Sequence, residues 1–480
     1  MQARLLVASV VVSLLLAVAP GAWAGQEQDT SPGPVIYSPD VKITAQTFSL
    51  NAIPGGSANK SHLDGQWQSS RVASDGKVYF GDSSHDWKTG GMFSQYDPAT
   101  GQVHVLAPDI DVITGDAAGV AAGTARPQGK LHSDITEDGG YIYFSTYYGY
   151  TGGTYSGGHV IRYQLGSYES GSANFQDFGS VNGGTIYSAT SVDPIYGKVY
   201  VNSDNIMYRY NADGTGKTNL GNMGGNSFYQ FTDSQGNLWT SSQGNLGRLI
   251  KIDPNGAVAN YDNILPQIRT PDTDAISSDQ SGRWFLWGDR RGADKFVFTM
   301  RQDGNLYEFD ASKAWDGNPG DSIRKVAHIG LSGLDAALAG DTYYFVQAAS
   351  PWQQWGYNSD AKARDQHLKS VDLNTGEIKD WGRIVDQSGR TPWRTEGMSS
   401  DGQRVYLTGD WHLLKDSNGN VLESEKPYTV IRANTAGTYW DYTNDSPWRG
   451  QFFAVVNVPE PATMAVLLLG GLILRRRARP

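Results

Sequence analysis

Seven times along the chain a strand closes on an aromatic or aliphatic residue and then runs into a polar turn. The closing residues are Tyr96 in "FSQYDPATG", Tyr163 in "VIRYQLGS", Tyr210 in "MYRYNADG", Ile252 in "LIKIDPNG", Phe309 in "LYEFDAS", Val371 in "LKSVDLNTG" and Ile431 in "TVIRANTAG". They lie 67, 47, 42, 57, 62 and 60 residues apart, which leaves room for four short strands per unit and loops of unequal length. Each unit carries a second signature upstream, apolar alternation around a Gly turn: "ASDGKVYFGD", "TEDGGYIYFST", "VDPIYGKVYVNS", "TDSQGNLWTSS", "SDQSGRWFLWG", "ALAGDTYYFVQ" and "SSDGQRVYLTGD". Alternation of period two beside a turn marks an antiparallel strand pair with one face packed on a neighbour.

No pattern of helical period persists beyond a turn or two. Seven four-stranded units that each need a partner for an apolar face close most economically into a ring, an all-β, seven-bladed β-propeller, because radial closure leaves few exposed edges. The early segment "ITAQTFSLN" is expected to close that ring against the last blade. With 58 Gly and 11% aromatic residues the composition suits short strands and many turns. The propeller is placed at 25–450.

Both ends read as addresses. Arg4 precedes an apolar run from Leu5 to Val18, and Ala22-Trp23-Ala24 offers a small-x-small cleavage site, so 1–24 is a signal peptide and the mature chain starts at Gly25. The chain is exported without a single Cys, so a large core takes the place of disulfides. At the other end, 456–480, Val458-Pro459-Glu460-Pro461 stands before an apolar run from Ala462 to Leu474 and a basic cluster, Arg475 to Arg477 with Arg479. That run is short of the ~20 residues of a stable membrane span. The tripartite order resembles the PEP-CTERM sorting signal of Gram-negative bacteria. It implies envelope sorting and processing machinery as a partner, and a secreted or cell-surface destination.

In a propeller the early part of each blade and the loops at one end border the axial cleft. Aligned on their Gly turns, the blades make His132 equivalent to Gln68, Tyr187 and Tyr229, all at the start of an early strand. A second set begins the strand before each aromatic closure: Met92, His159, Met207, Arg248 and His367. Two blades thus carry a polar pair at matching places, His132 with His159 and Tyr229 with Arg248. Two imidazoles, a phenol and a guanidinium suit β-elimination from a uronic acid. Arg neutralises the carboxylate, a neutral His takes the proton beside it, and Tyr exchanges a proton at the leaving oxygen. Each residue alone has a plainer reading as a packing or surface group.

The phrasing of "SSHDWKTGGMFSQYDPATG", "PQGKLHSDITEDGGYIYFSTYYG", "GGHVIRY" and "SFYQFTDSQGNLW" with "LGRLIKID" resembles the secreted seven-bladed polysaccharide lyases that act on ulvan, a sulfated polymer of rhamnose and uronic acid. The likeness runs over most of the chain, from Val41 to Asn444. It implies that His132 and His159 are active-site histidines, Tyr229 the catalytic tyrosine and Arg248 the carboxylate-neutralising arginine, with Tyr187 in reserve for Tyr229. Relative to that pattern "YYGYTGGTYSGG" lengthens the loop from His132 to His159.

Around this core, His85 with Asp86 and Lys88 sits in a blade-one loop that could border the cleft. Arg71, Arg126 and Lys130 could form a local basic cleft for an acidic polysaccharide, although the net charge of -10 disfavours nucleic acid. Trp352, Trp355 and Trp393 could stack on sugar rings. His367 is a weaker candidate, and His412 reads as structural. "YDPATGQ", "NADGTGK" and "DSNGN" look superficially like calcium loops but lack the 12-residue spacing with a terminal Glu. No cofactor is required by this reading, and a structural Ca2+ is the one metal such turns suggest. A monomer is expected. The rival functions are a non-catalytic surface propeller that binds glycan or protein in an exopolysaccharide matrix, and a metal-dependent lactonase, for which clustered Glu, Asp and Asn ligands are not found by spacing.

Overall fold

The computed structural model describes residues 42–49, 63–65, 68–84, 90–131, 134–149, 153–166, 173–187, 190–225, 228–243, 246–313, 322–347, 367–386, 392–412 and 449–458. Every one of them lies in the unit Pro32–Pro480. The strands form seven antiparallel blades of four strands, with a further short strand, Leu63–Gly65, on the Val78–Ser84 strand of blade one. Blade two shows the pattern: Thr136–Asp138, Tyr141–Ser145, His159–Gln164 and Phe175–Ser180, each hydrogen-bonded to the next from the axis outward.

Period-two alternation on the second strands glues the ring together. In blade one Val78 and Phe80 pack with Tyr406 and Phe453 of blade seven, while Tyr79 between them packs with Ile142, Phe144 and Tyr163 of blade two. Blade two repeats the scheme, with Ile142 and Phe144 facing back and Tyr143 facing Val199 and Val201 of blade three. Tyr200, between those two valines, faces Leu238 and Ile250 of blade four. Each blade is therefore a sheet buried on both faces. Aromatic pairs bridge the interfaces: Phe93 on Phe144 at 4.5 Å, Phe231 on Phe296 at 4.2 Å and Phe80 on Phe453 at 4.6 Å between ring centres.

Ring closure works as the sequence suggested. Blade seven consists of Pro392–Ser400, Arg404–His412 and Arg449–Asn457, and its outermost strand is the N-terminal Lys42–Ser49. That clasp runs antiparallel to the last strand, Ala45 opposite Val456 and Ser49 opposite Phe452. It also pairs in parallel with Ile378–Asp386 of blade six, so blades six and seven share one continuous eight-stranded sheet.

Six of the seven expected strand closures, Tyr96 through Val371, fall on the last or next-to-last residue of the third strand of blades one to six. The seventh, Ile431, lies outside the described residues, and the third strand of blade seven is Arg449–Asn457. One expected hairpin is displaced. "SDQSGRWFLWG" is not a strand pair around a Gly turn: its second half already belongs to the first strand of blade five, Phe285–Arg290, which pairs with Lys295–Met300 across 291–294. The Gly turn at 279–282 ends the long connection from blade four and imitates the hairpin turns of the other blades.

Candidate functional site

Strands alternate in direction, so the starts of all first and third strands share one face of the ring. The long connections leave from that face: 85–91, 108–135, 146–158, 262–284, 348–366 and 413–448. On the opposite face the connections are tight turns apart from 165–174 and 311–322. A rigid ring with elaborated loops at one end is the usual platform for a site.

His159 opens the third strand of blade two on this face and is 5% exposed. Its Nδ1 lies 3.0 and 2.9 Å from the two carboxylate oxygens of Asp177 on the fourth strand. Asp177 reaches it because the two strands slip register at a bulge, where Gly179 takes φ +83° and donates its N–H to Asp177 Oδ1 at 2.8 Å. The His159 N–H donates to Thr146 Oγ1 at 2.9 Å, and that hydroxyl donates to the buried Gln128 at 2.8 Å. Gln128 Nε2 in turn donates to Ser156 at 2.9 Å and to Asp116 at 3.0 Å. The 108–135 connection, with its short helices Ile110–Thr114 and Ala117–Ala121, is thereby tied to the 146–158 loop behind the imidazole. Among the described residues His159 Nε2 has no hydrogen-bond partner.

Lys130 and Tyr147 exchange backbone hydrogen bonds of 2.8 Å in both directions, next to the Thr146 N–H that donates to the His159 carbonyl at 3.0 Å. Close approach demands glycine here: a Cβ on Gly129 or on Gly149 would run into the Ser84 carbonyl. The Lys130 ammonium stands 5.5 Å from the centre of the Tyr147 ring, and the Arg126 guanidinium 5.2 Å from that of Tyr148. Tyr147 stacks on Tyr148 at 4.3 Å, and its hydroxyl meets that of Tyr187 from blade three at 2.5 Å. Burial raises the pKa of both phenols. Tyr187 stacks in turn on Phe228, at the entry to blade four.

Tyr147 thus touches both Lys130 and Tyr187, while His159 is linked to it through the backbone and hydroxyl of the adjacent Thr146. Arg248 lies on the same face but in blade four, where it pairs with Asp262 through Nε at 2.6 Å. Tyr229 lies deeper. It is 1% exposed and its hydroxyl donates to Asp335 Oδ1 of blade six at 3.1 Å, inside the axial channel. His132, His85, Asp86, Lys88, Trp352 and Trp355 lie outside the described residues. The alignment on Gly turns is loose: Gln68, Tyr187 and Tyr229 precede their first strands by two, four and one residues. That of the third strands is closer: Met92, His159 and His367 each open one, Met207 is the second residue of its strand and Arg248 precedes its strand by one. His367 repeats the His159 arrangement in blade six, with Nδ1 at 2.9 and 3.0 Å from Asp380 and a bulge at Gly382.

Sequence reasoning missed Asp177 and Asp380. The signal was a second repeat on the fourth strands, "QDFGS" at 176–180, "TNLGN" at 218–222 and "KDWGR" at 379–383, in which Asp or Asn precedes a bulge glycine by two. It also missed the axial cluster. Arg71 pairs with Asp289 at 3.4 Å, and with Asp134, Asp335 and Ser399 these two line a cavity of about 90 Å3. Asp289 holds the Arg71 pKa up, while desolvation pushes that of Asp134 well above the usual carboxylate range and that of Asp335 to about 7.

Two of the calcium-like turns use their carboxylates locally. Asp97 accepts the Ala99 N–H at 2.8 Å and Asp213 the Thr215 N–H at 2.9 Å; "DSNGN" lies outside the described residues. Among the described residues no group of three or more His, Asp or Glu side chains is arranged to hold a metal, and no helix is long and apolar enough to cross a membrane.

No family model matches the sequence, and no curated protein does. Among solved structures the chain is similar to virginiamycin B lyase from Staphylococcus aureus, at 12% identity and a TM-score of 0.48, over 87% of this chain and 100% of that one. It is also similar to the Pan2 WD40 domain of Neurospora crassa, at 9% identity and a TM-score of 0.44, over 89% and 98%. Likenesses this distant concern the fold alone. The seven blades stand on the strand pairing described above.

Proposed function

We propose that the protein is an exported polysaccharide lyase that cleaves a uronic-acid-containing, sulfated polysaccharide of the ulvan kind by β-elimination on its long-loop face. The observation that carries this reading is that His159, the Tyr147–Tyr187 phenol pair and Lys130 sit on adjoining backbone of the long-loop face, Tyr147 against Lys130 and Tyr187, and Thr146 bonded to His159. Elimination needs a base for the proton beside the uronate carboxylate, a cation for the charge that develops there, and an acid for the departing oxygen. His159 is the base. Lys130 or Arg248 faces the carboxylate, and a phenol protonates the leaving oxygen. The carbon–hydrogen pair becomes the new double bond as the carbon–oxygen bond breaks, so the products are an unsaturated uronate and a free hydroxyl, with no redox partner.

Tyr187, half-buried on the long-loop face, suits the acid role better than Tyr229, which is 1% exposed inside the axial channel. His132, two residues beyond Lys130, is the second imidazole in this reading. The leader at 1–24 and the sorting tail at 456–480 would deliver the enzyme to the cell surface or matrix of a Gram-negative bacterium.

The test is ultraviolet absorbance of unsaturated uronate when the protein is mixed with ulvan and, separately, with other uronate polymers. A rise with ulvan that is lost in His159→Ala and reduced roughly 10²-fold or more in Tyr187→Phe supports the lyase. A folded protein that retains glycan and produces no rise on any polymer overturns it in favour of a binding propeller.

A further inference from the structure

We propose that Asp177 is the positioning residue that makes His159 a base, by holding its ring in the Nδ1–H tautomer so that Nε2 carries the lone pair. The inference rests on the lyase reading for its kinetic consequence, but the tautomer itself does not.

An ionised carboxylate only accepts hydrogen bonds, so Nδ1, at 2.9 and 3.0 Å from both oxygens of Asp177, must donate. In neutral imidazole the lone pair then sits on Nε2. That nitrogen is buried and has no hydrogen-bond partner among the described residues, while the backbone N–H of the residue is pinned by Thr146. Asp177 is fixed from behind by the Gly179 N–H on Oδ1. Blade six supplies an internal comparison. His367 and Asp380 form the same clamp on the same bulge, but Asp380 also has Lys369 Nζ at 3.8 Å.

Asp177→Asn tests the assignment. The Gly179 N–H retains the amide oxygen at the Oδ1 position, so the NH2 takes the place of Oδ2, 2.9 Å from Nδ1, and donates to it. The ring is then protonated at Nε2 and cannot accept a proton there. Ring 15N–1H correlation spectra of the histidine-labelled full-length protein, with His159→Gln identifying the cross-peaks, should show Nδ1–H in the wild type and Nε2–H in Asp177→Asn. On ulvan, kcat should fall roughly 10²-fold or more while KM stays within about twofold. Asp380→Asn should change neither.

A wild-type His159 protonated at Nε2 overturns the proposal, and this measurement stands even if Asp177→Asn fails to fold. Equal kcat losses in Asp177→Asn and Asp380→Asn overturn it too, because the clamp would then serve the fold alone. If no polymer is cleaved while the spectra show the switch, the lyase reading falls and the tautomer assignment remains.

Discussion

Asp335 gives the interior of the ring a quantitative test. Its carboxylate is 4% exposed and accepts hydrogen bonds from Ala336 N–H at 2.9 Å, Met398 N–H at 2.8 Å and Tyr229 Oη at 3.1 Å. Burial nonetheless raises its pKa from 3.8 to about 7. An acid whose folded-state pKa exceeds its unfolded value binds its proton more tightly in the fold. Its contribution to stability is therefore fullest below about pH 4, declines between about 4 and 7, and is flat above. At about 1.4 kcal/mol per pH unit over that interval, ionising Asp335 costs the fold about 4 kcal/mol by pH 8.

Arg71, Asp134, Asp289 and Tyr229 face the same channel, and burial lifts the pKa of Asp303 elsewhere to about 7 as well, so the wild-type profile is a composite. Asp335→Asn isolates one contribution. The amide keeps an oxygen for Ala336 and Tyr229 but turns its NH2 toward the Met398 N–H, a loss of about 1–3 kcal/mol. Urea midpoints measured from pH 4.5 to 8.5 should show the variant less stable at the acid end by that amount, with the gap closing or reversing by pH 8. Parallel curves, with a gap constant to within about 0.5 kcal/mol, would mean that Asp335 ionises normally and would refute the argument.

Two further outcomes test the frame around the site. Ala45 is paired on both sides, with Asp386 and with Val456, so Ala45→Pro removes a ladder donor from the interior of a continuous sheet. It should cost roughly 1–3 kcal/mol in urea unfolding, and no measurable change would argue against closure by the clasp. Gly179 has φ +83° with open space where a Cβ would go, so Gly179→Ala pays for backbone strain alone, about 1–2 kcal/mol. A melting temperature equal to wild type would show that the bulge does not require that conformation.

The architecture was largely legible because each blade repeats its own local chemistry: apolar alternation, a Gly turn, an aromatic closure. Legibility failed where a connection imitated that chemistry, as at 279–282, and where contacts depend on ring closure. Arg71 and Asp289 are 218 residues apart in sequence and meet only because blades one and five both face the axis. The pairing of His159 with Asp177 was hidden for a different reason. It crosses strands at a bulge, and a bulge offsets register by an amount that alternation alone does not reveal. His159 itself was readable from its position at the head of a third strand; Tyr147, the residue that links it to Tyr187, looked like one tyrosine among 26.

The clasp also fixes an orientation. Lys42–Ser49 starts, and Arg449–Asn457 ends, on the face opposite the long loops, since a fourth strand begins where a third strand finishes. Both ends of the described chain therefore leave from one spot on the rim of blade seven, at the base of the ring. The loop face that carries Lys130, Tyr187 and the third-strand head at His159 is the end of the ring farthest from both of them.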